Sequence, residues 1–177
     1  MVFIGDRLYK HHTVRINYTT YDLRRNQDSI NPRTHPDIML LAPDAHNEVH
    51  PYWYARVIGV FHVNARYDGA SFQRCSGGRV DVLWVRWYEF DSGYKSGWKH
   101  KRLPRLQFSD STNPDAFGFV DPQAVLRGGH LLPAFAHGRT DEYLIPDSMA
   151  RQFQVIVGAR DEFQVEREDW KYYYAGM

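Results

Sequence analysis

Apolar residues come in short β-branched and aromatic runs, and no stretch sustains the i, i+3, i+4, i+7 stripe of a long amphipathic helix. The clearest runs are DIMLLA (37–42), YWYARVIGVFHVNA (52–65) and RVDVLWVRWYEF (79–90), which read as strands. RYDGASFQRCSGG joins the last two, and its Asp68-Gly69 and Gly77-Gly78 pairs form turns readily. On 79–90, Val82, Trp84, Arg86 and Tyr88 share one face while Leu83, Val85 and Trp87 share the other. Apolar bulk on both faces predicts a central strand that other elements must cover on both sides.

Further along, 105–108 and 130–135 read as short strands, and DPQAVLRGG combines a capping Asp121, Pro122 in the first turn and a terminating glycine pair. That pattern predicts a short helix over 122–127, with a second helix over 147–157. The first 35 residues lack periodicity and read as an N-terminal arm, leaving 36–177 as one domain. The expected fold is mainly β: a strongly bent antiparallel sheet or partly open barrel with one or two short helices, closed by 102–108 and 130–135.

Composition sharpens this picture in three ways. At 177 residues the chain can bury about 70% of its unfolded surface, so one domain is stable without a disulfide or metal staple. Its single cysteine, Cys75, and an N-terminus (MVFIGDRLYKHH) without a secretory apolar core lead to the expectation of an intracellular, nuclear protein. No apolar run reaches the roughly 18 residues of a membrane helix. The near balance of 22 Lys+Arg against 21 Asp+Glu hides an asymmetry, for residues 1–105 hold 16 basic and 10 acidic side chains and residues 106–177 hold 6 and 11.

The basic excess concentrates in the loop 94–105, where Lys95, Lys99, Lys101, Arg102 and Arg105 interleave with Tyr94 and Trp98 and no acid follows Asp91. Cations interleaved with aromatic rings suit phosphate contact with stacking on a base or sugar. The same charges would also suit a solvated edge that resists aggregation. Arg24 and Arg25 extend the patch if the arm folds beside the loop.

Trp53, Trp87 and Tyr88 are candidates for an aromatic cage around a cation, although core packing is the default for aromatics on central strands. His46, Glu48 and His50 share a side in an extended chain, as metal ligands do, but Pro43 and Pro51 bracket them and no third ligand run stands nearby, so a solvated loop is expected and no metal. Cys75 sits in a Gly/Ser/Arg loop without a nucleophile signature, and Asp81, Glu89 and Asp91 carry a metal-dependent nuclease only if they converge. Phosphate loops, GxSxG and GxGxxG are all missing. No enzyme, no catalytic residue and no cofactor is expected.

The segments HPYWYARVIGVFHV, VLWVRWYEF, AFGFVDPQAVLRGGHLLPAF and DWKYYY resemble the C-terminal region of open reading frames associated with fungal DNA transposons of the Plavaka and KDZ type. There NYTTYDLRRNQDSINPRTHPDIMLL similarly precedes the PYWYARV strand, so the resemblance spans roughly residues 12 to 174. It implies a transposon-derived solo domain or truncated copy, with any catalytic region on sequence outside this chain. The order of elements is similar, more weakly, to bromo-adjacent homology (BAH) domains of chromatin proteins, which implies a BAH-like β domain and picks out Trp87 and Tyr88. Those domains carry a turn-forming proline after the aromatic pair, where this chain has Glu89-Phe90-Asp91. The resulting expectation is a non-enzymatic domain that binds DNA or a chromatin protein such as a histone tail. The alternatives are an accessory fragment of a metal-dependent transposase or nuclease, and a protein-protein interaction module.

Overall fold

Residues 2–42, 50–66, 78–145, 148–152 and 169–176 are described from a computed structural model. The three runs read as strands form β4 (Asp37–Leu41), β5 (Tyr52–Arg66) and β6 (Gly78–Phe90), paired antiparallel with Asp37 opposite Arg56 and Arg56 opposite Arg86. Of the described residues 60% are in strands and 11% in helical turns, so the expected mainly β class holds. Ahead of these strands lie β1 (Val2–His11), β2 (Val14–Thr19) and β3 (Arg25–Ile30), and after them come β7 (Arg105–Phe108), β8 (Phe117–Val120), β9 (Val125–Gly128) and β10 (His130–Pro133). The short pair β11 (Arg139–Thr140) and β12 (Asp169–Trp170) precedes the last strand, β13 (Tyr173–Gly176).

The principal sheet runs β10-β13-β7-β6-β5-β4-β9, with β1 added to β5 and β8 added to β6. Its two terminal strands, β9 and β10, are consecutive in the chain and joined by Gly129 alone. The sheet therefore curls until its edges meet, giving a nearly closed barrel. Gly129 donates its N–H to the Asp37 carbonyl at 2.8 Å. A Cβ there would stand 3.4 Å from the Ile38 backbone, so a residue without a side chain suits the closing point.

Curvature comes partly from a bulge in β5. Val57 faces Val85 and Gly59 faces Trp84, which leaves Ile58 as an extra residue on the bulged strand. Val57 and Val60 thereby enter the main core with Leu83 and Val85, whereas Ile58 turns to a satellite cluster with Leu144 and Ala150. The Phe61 ring lies over Gly59 and occupies the space a side chain would need. As the two-faced pattern of 79–90 requires, Leu83 and Val85 are buried in one cluster and Tyr88 in another with Leu106, Phe108 and Tyr173.

The second cluster contains two arginines. Arg86 is fully buried, bonded through Nη1 to Asp169 Oδ2 at 2.7 Å and through Nη2 to the Tyr143 carbonyl at 2.9 Å, with its guanidinium 3.8 Å from the Phe108 ring centre. Its cross-strand neighbour Arg56 makes a two-pronged bond to Asp37 at 2.9 and 3.3 Å, 5.0 Å from the same ring. Burial lowers the Arg86 pKa against the pull of Asp169. Burial also works against the Arg56 charge, but Asp37, Tyr88 and Tyr173 outweigh it and hold the pKa well above the usual value.

Three expectations are corrected. The first 35 residues, read as an arm, contain three strands: β1 pairs with β5, and β2 and β3 form a hairpin whose Ile16 and Ile30 enter the main core. Its apolar positions are spaced too thinly among polar ones to announce strands. The helix expected over 122–127 is a 3-10 turn, Pro122–Ala124, that leads directly into β9. Asp121 does cap it, accepting from the Gln123 N–H at 2.9 Å, but pairing of β9 with β4 draws the following residues into the sheet. Of the helix expected over 147–157, the described part is α1 (Met149–Gln152), and 153–157 lie outside the described residues.

Removing Asp169 by Asp169→Ala leaves the Arg86 charge buried and uncompensated, with an expected cost of about 3–5 kcal/mol. Replacing both, Arg86→Met with Asp169→Leu, is expected to cost far less, and urea denaturation of the three proteins checks the order. A second outcome concerns alkaline pH. Burial, with Asp37 adding to it, pushes the Tyr88 hydroxyl well above its ordinary value of 10.0, and burial raises Tyr54 and Tyr173 as well. Above pH 10 the unfolded chain releases phenol protons that the folded chain keeps, so stability falls as pH rises. Melting curves between pH 8 and 11 are expected to show this decline, and Tyr88→Phe makes it shallower.

Candidate nucleic-acid interface

The loop from β6 to β7 is closed at its base by two residues that face each other across the strands. Asp91 N–H donates to the Arg105 carbonyl at 3.0 Å, while Arg105 returns Nη2 and Nε to the Asp91 carboxylate at 2.6 and 2.8 Å. The Arg105 guanidinium is layered between two rings, 4.1 Å from the centre of Tyr94 and 4.3 Å from that of Tyr172. Burial disfavours its charge, yet the bond to Asp91 raises its pKa above the ordinary value. Arg105, expected among the phosphate-binding cations, is instead a brace. The ion pair and the two rings leave its side chain only 16% exposed.

Above this brace the backbone makes a small closed unit. Gly97 adopts φ 92°, its N–H donates to the Arg102 carbonyl at 2.8 Å, and Trp98–His100 form a 3-10 turn. Lys101, in the left-handed region at φ 51°, ends that turn by donating its N–H to the Trp98 carbonyl at 3.2 Å. The result presents Trp98, 89% exposed, with Lys95, Lys99, Lys101 and Arg102 also exposed around it. Among the described residues none of these four cations is in an ion pair, and Arg102 lies 5.8 Å from the Tyr94 ring. An exposed indole offers a face for stacking, and cations without ion-pair partners among the described residues beside it suit a polyanion.

Arg24 and Arg25 lie at the turn and first strand position of the β2–β3 hairpin, where Arg24 pairs with Asp22 at 2.9 Å and Arg25 is exposed. That hairpin packs beside β9, and among the described residues no hydrogen bond, ion pair or ring contact joins Arg24 or Arg25 to the 94–102 loop.

The three cage candidates do not form a cage. Trp53 and Trp87 meet edge to face with ring centres 5.6 Å apart, and the Trp87 indole covers Gly118, where a Cβ would stand 2.8 Å from Nε1. Tyr88 belongs to the other face of β6. It is buried, stacked 4.2 Å from Phe108, and donates its hydroxyl to Asp37 Oδ1 at 3.0 Å. Adjacent residues of a strand cannot line one side of a cage, which the alternation of 82–88 already implied.

The carboxylates weighed for a metal centre are separated as well. Asp81 is bonded to Arg79 at 2.6 Å and Asp91 to Arg105, while Glu89 is exposed opposite Gln107. Among the described residues no three His, Cys, Asp or Glu side chains converge. His46, Glu48 and Cys75 lie outside the described residues. His50 stacks on Phe90 at 3.8 Å, and burial pushes its pKa down.

The brace was not legible beforehand. Tyr172 lies 67 positions beyond Arg105, and only the pairing of β13 with β7 brings the two together. Tyr94→Ala removes one layer of the sandwich. Amide exchange across 97–102 is expected to rise about tenfold while the melting temperature changes by only a few degrees, because local opening is far less costly than global unfolding. Comparison of the chain with protein-family models, with curated proteins and with solved structures finds no match.

Proposed function

We propose that this chain is a non-enzymatic DNA-binding domain that contacts the phosphate backbone through the loop 94–102. The observation that carries the reading is the exposed Trp98 among four cations that have no carboxylate partner among the described residues, on a loop held in shape by the Asp91, Tyr94, Arg105 and Tyr172 brace. Preorganisation matters here because a loop that is already ordered loses less entropy when it binds. Lys95, Lys99, Lys101 and Arg102 supply sequence-independent attraction, and Trp98 stacks on a base or wedges at a step. A transposon-derived, nuclear domain working on chromatin is the setting that the sequence resemblance suggests for such a contact.

Binding is expected to be weak, tolerant of sequence and steeply salt-dependent. Four phosphate contacts on duplex DNA give a slope of log K against log salt of about −3.6. Lys101→Glu with Arg102→Glu flattens the slope by at least half without unfolding the domain. Trp98→Ala instead lowers affinity by roughly tenfold or more at every salt concentration and leaves the slope nearly unchanged, since stacking releases few ions. Gel-shift titrations at three ionic strengths separate the two effects. Absence of binding at low salt overturns the proposal and leaves a protein-interaction module.

A further inference from the structure

A recess lies away from that loop, where the β2–β3 hairpin meets the barrel. A cleft of about 440 Å³ is lined by Gln27 to Ile30 of β3, by Thr34 to Asp37 before and at the start of β4, and by Gly128 to Leu132 across the β9–β10 junction. Both strands that border it have a spare edge. β3 is paired to β2 alone and β10 to β13 alone, so among the described residues each leaves one row of backbone groups without a strand partner. Gly128 and Gly129 add a stretch of backbone without side chains.

The chemistry of the lining narrows the occupant. Among the described residues no lysine or arginine lines the cleft, its histidines are His35 and His130, and its two carboxylates are in different situations. Asp37 is neutralised by Arg56. Asp28 accepts from uncharged donors, the Gly128 N–H on Oδ2 at 2.8 Å and the Tyr18 hydroxyl on Oδ1 at 3.2 Å, and forms no ion pair among the described residues, with the Arg127 charge near enough to act on that hydroxyl. Beside it Leu131 is half-buried and Leu132 is 58% exposed, which offers apolar surface on the β10 side. A strand edge without a partner among the described residues, bare backbone, an apolar shelf and one carboxylate outside any ion pair there together describe a seat for an added strand.

We propose that this cleft binds an extended peptide segment of a partner protein by strand addition to β10, with apolar side chains over Leu132 and a basic side chain toward Asp28. Side chains of an extended segment alternate in direction, so adjacent apolar and basic residues can reach the two features separately. The inference goes beyond the DNA reading and uses none of the cations of the 94–102 loop.

The probe is an acetylated, amidated decapeptide of alternating valine and lysine carrying a fluorophore, measured by anisotropy, with amide shifts of the labelled protein as the map. The expected result is saturable binding with shifts centred on Leu131, Leu132 and Gln27 to Ile30. Asp28→Asn, which keeps an acceptor for the Gly128 N–H, weakens it about tenfold with an unchanged melting temperature, and the exposed Leu132→Lys does the same by repelling the cation. A decapeptide with every second amide N-methylated cannot complete the strand ladder and is expected to bind at least tenfold more weakly. Equal binding by Asp28→Asn and Leu132→Lys, by the N-methylated peptide, or by a valine-glutamate decapeptide overturns the proposal. DNA affinity of Asp28→Asn stays at the wild-type value, so failure of the cleft and failure of the loop are read separately.

Discussion

The constraint on which the barrel depends is a pair of like charges side by side on its central strands. Arg56 and Arg86 are directly opposite each other on β5 and β6, with their side chains on the inner face around Phe108. Two cations in that position are tolerable only if each is given its own carboxylate, because an unpaired buried charge costs several kcal/mol. Asp37 comes from the neighbouring strand β4, in register with Arg56. Asp169 comes from 83 residues beyond Arg86. Neutrality of this cluster thus ties the end of the described chain to its centre. A slip of one residue in β5 or β6 would turn an arginine onto the opposite, apolar face with Leu83, Val85 and Trp87, so the same cluster also specifies register.

Closure follows from that tie. With Asp169 held at Arg86, the strand that begins at Tyr173 is positioned to pair with β7 on one side and β10 on the other, and Gly129 carries the chain across to β9 on the far edge. The loop that joins β6 to β7 inherits its shape from this arrangement. Tyr172 arrives with the last strand and layers onto Arg105, which turns a flexible Gly-rich connection into a firm platform for Trp98. Bracing and solvent-exposed cations are therefore distinguished by tertiary neighbours alone. Arg105 is taken up by a carboxylate and two rings, whereas Lys95, Lys99 and Lys101 are left to solvent.

The two proposed surfaces differ in their physics. The loop presents positive, aromatic surface suited to a polyanion, and the β3–β10 cleft presents backbone without a strand partner among the described residues beside the Asp28 carboxylate, suited to an extended basic segment. A domain bearing both could hold DNA and a protein tail at once, each on its own part of the barrel, without the two ligands competing for the same charge.

Much of the fold was legible in the chain. The runs at 37–42, 52–65 and 79–90 appear as β4, β5 and β6 with ends shifted by one residue at most, and 105–108 is β7 as read. Strands buried on both faces announce themselves because burial demands continuous apolar and aromatic content. The opposite faces of Trp87 and Tyr88 were likewise implicit in strand alternation, and a cage built from both was excluded by it. Other features depend on partners distant in sequence. β1 to β3 are strands because β5 and the main core accept them, and β9 is a strand because β4 overrides a local helix-capping signal. The exposure of Trp98, the diversion of Arg105 into a brace and the edges of β3 and β10 that have no strand partner among the described residues are likewise set by which segments meet. Local pattern determines which way a residue points along its own strand, while the identity of its neighbour across the sheet is decided only when the whole chain closes.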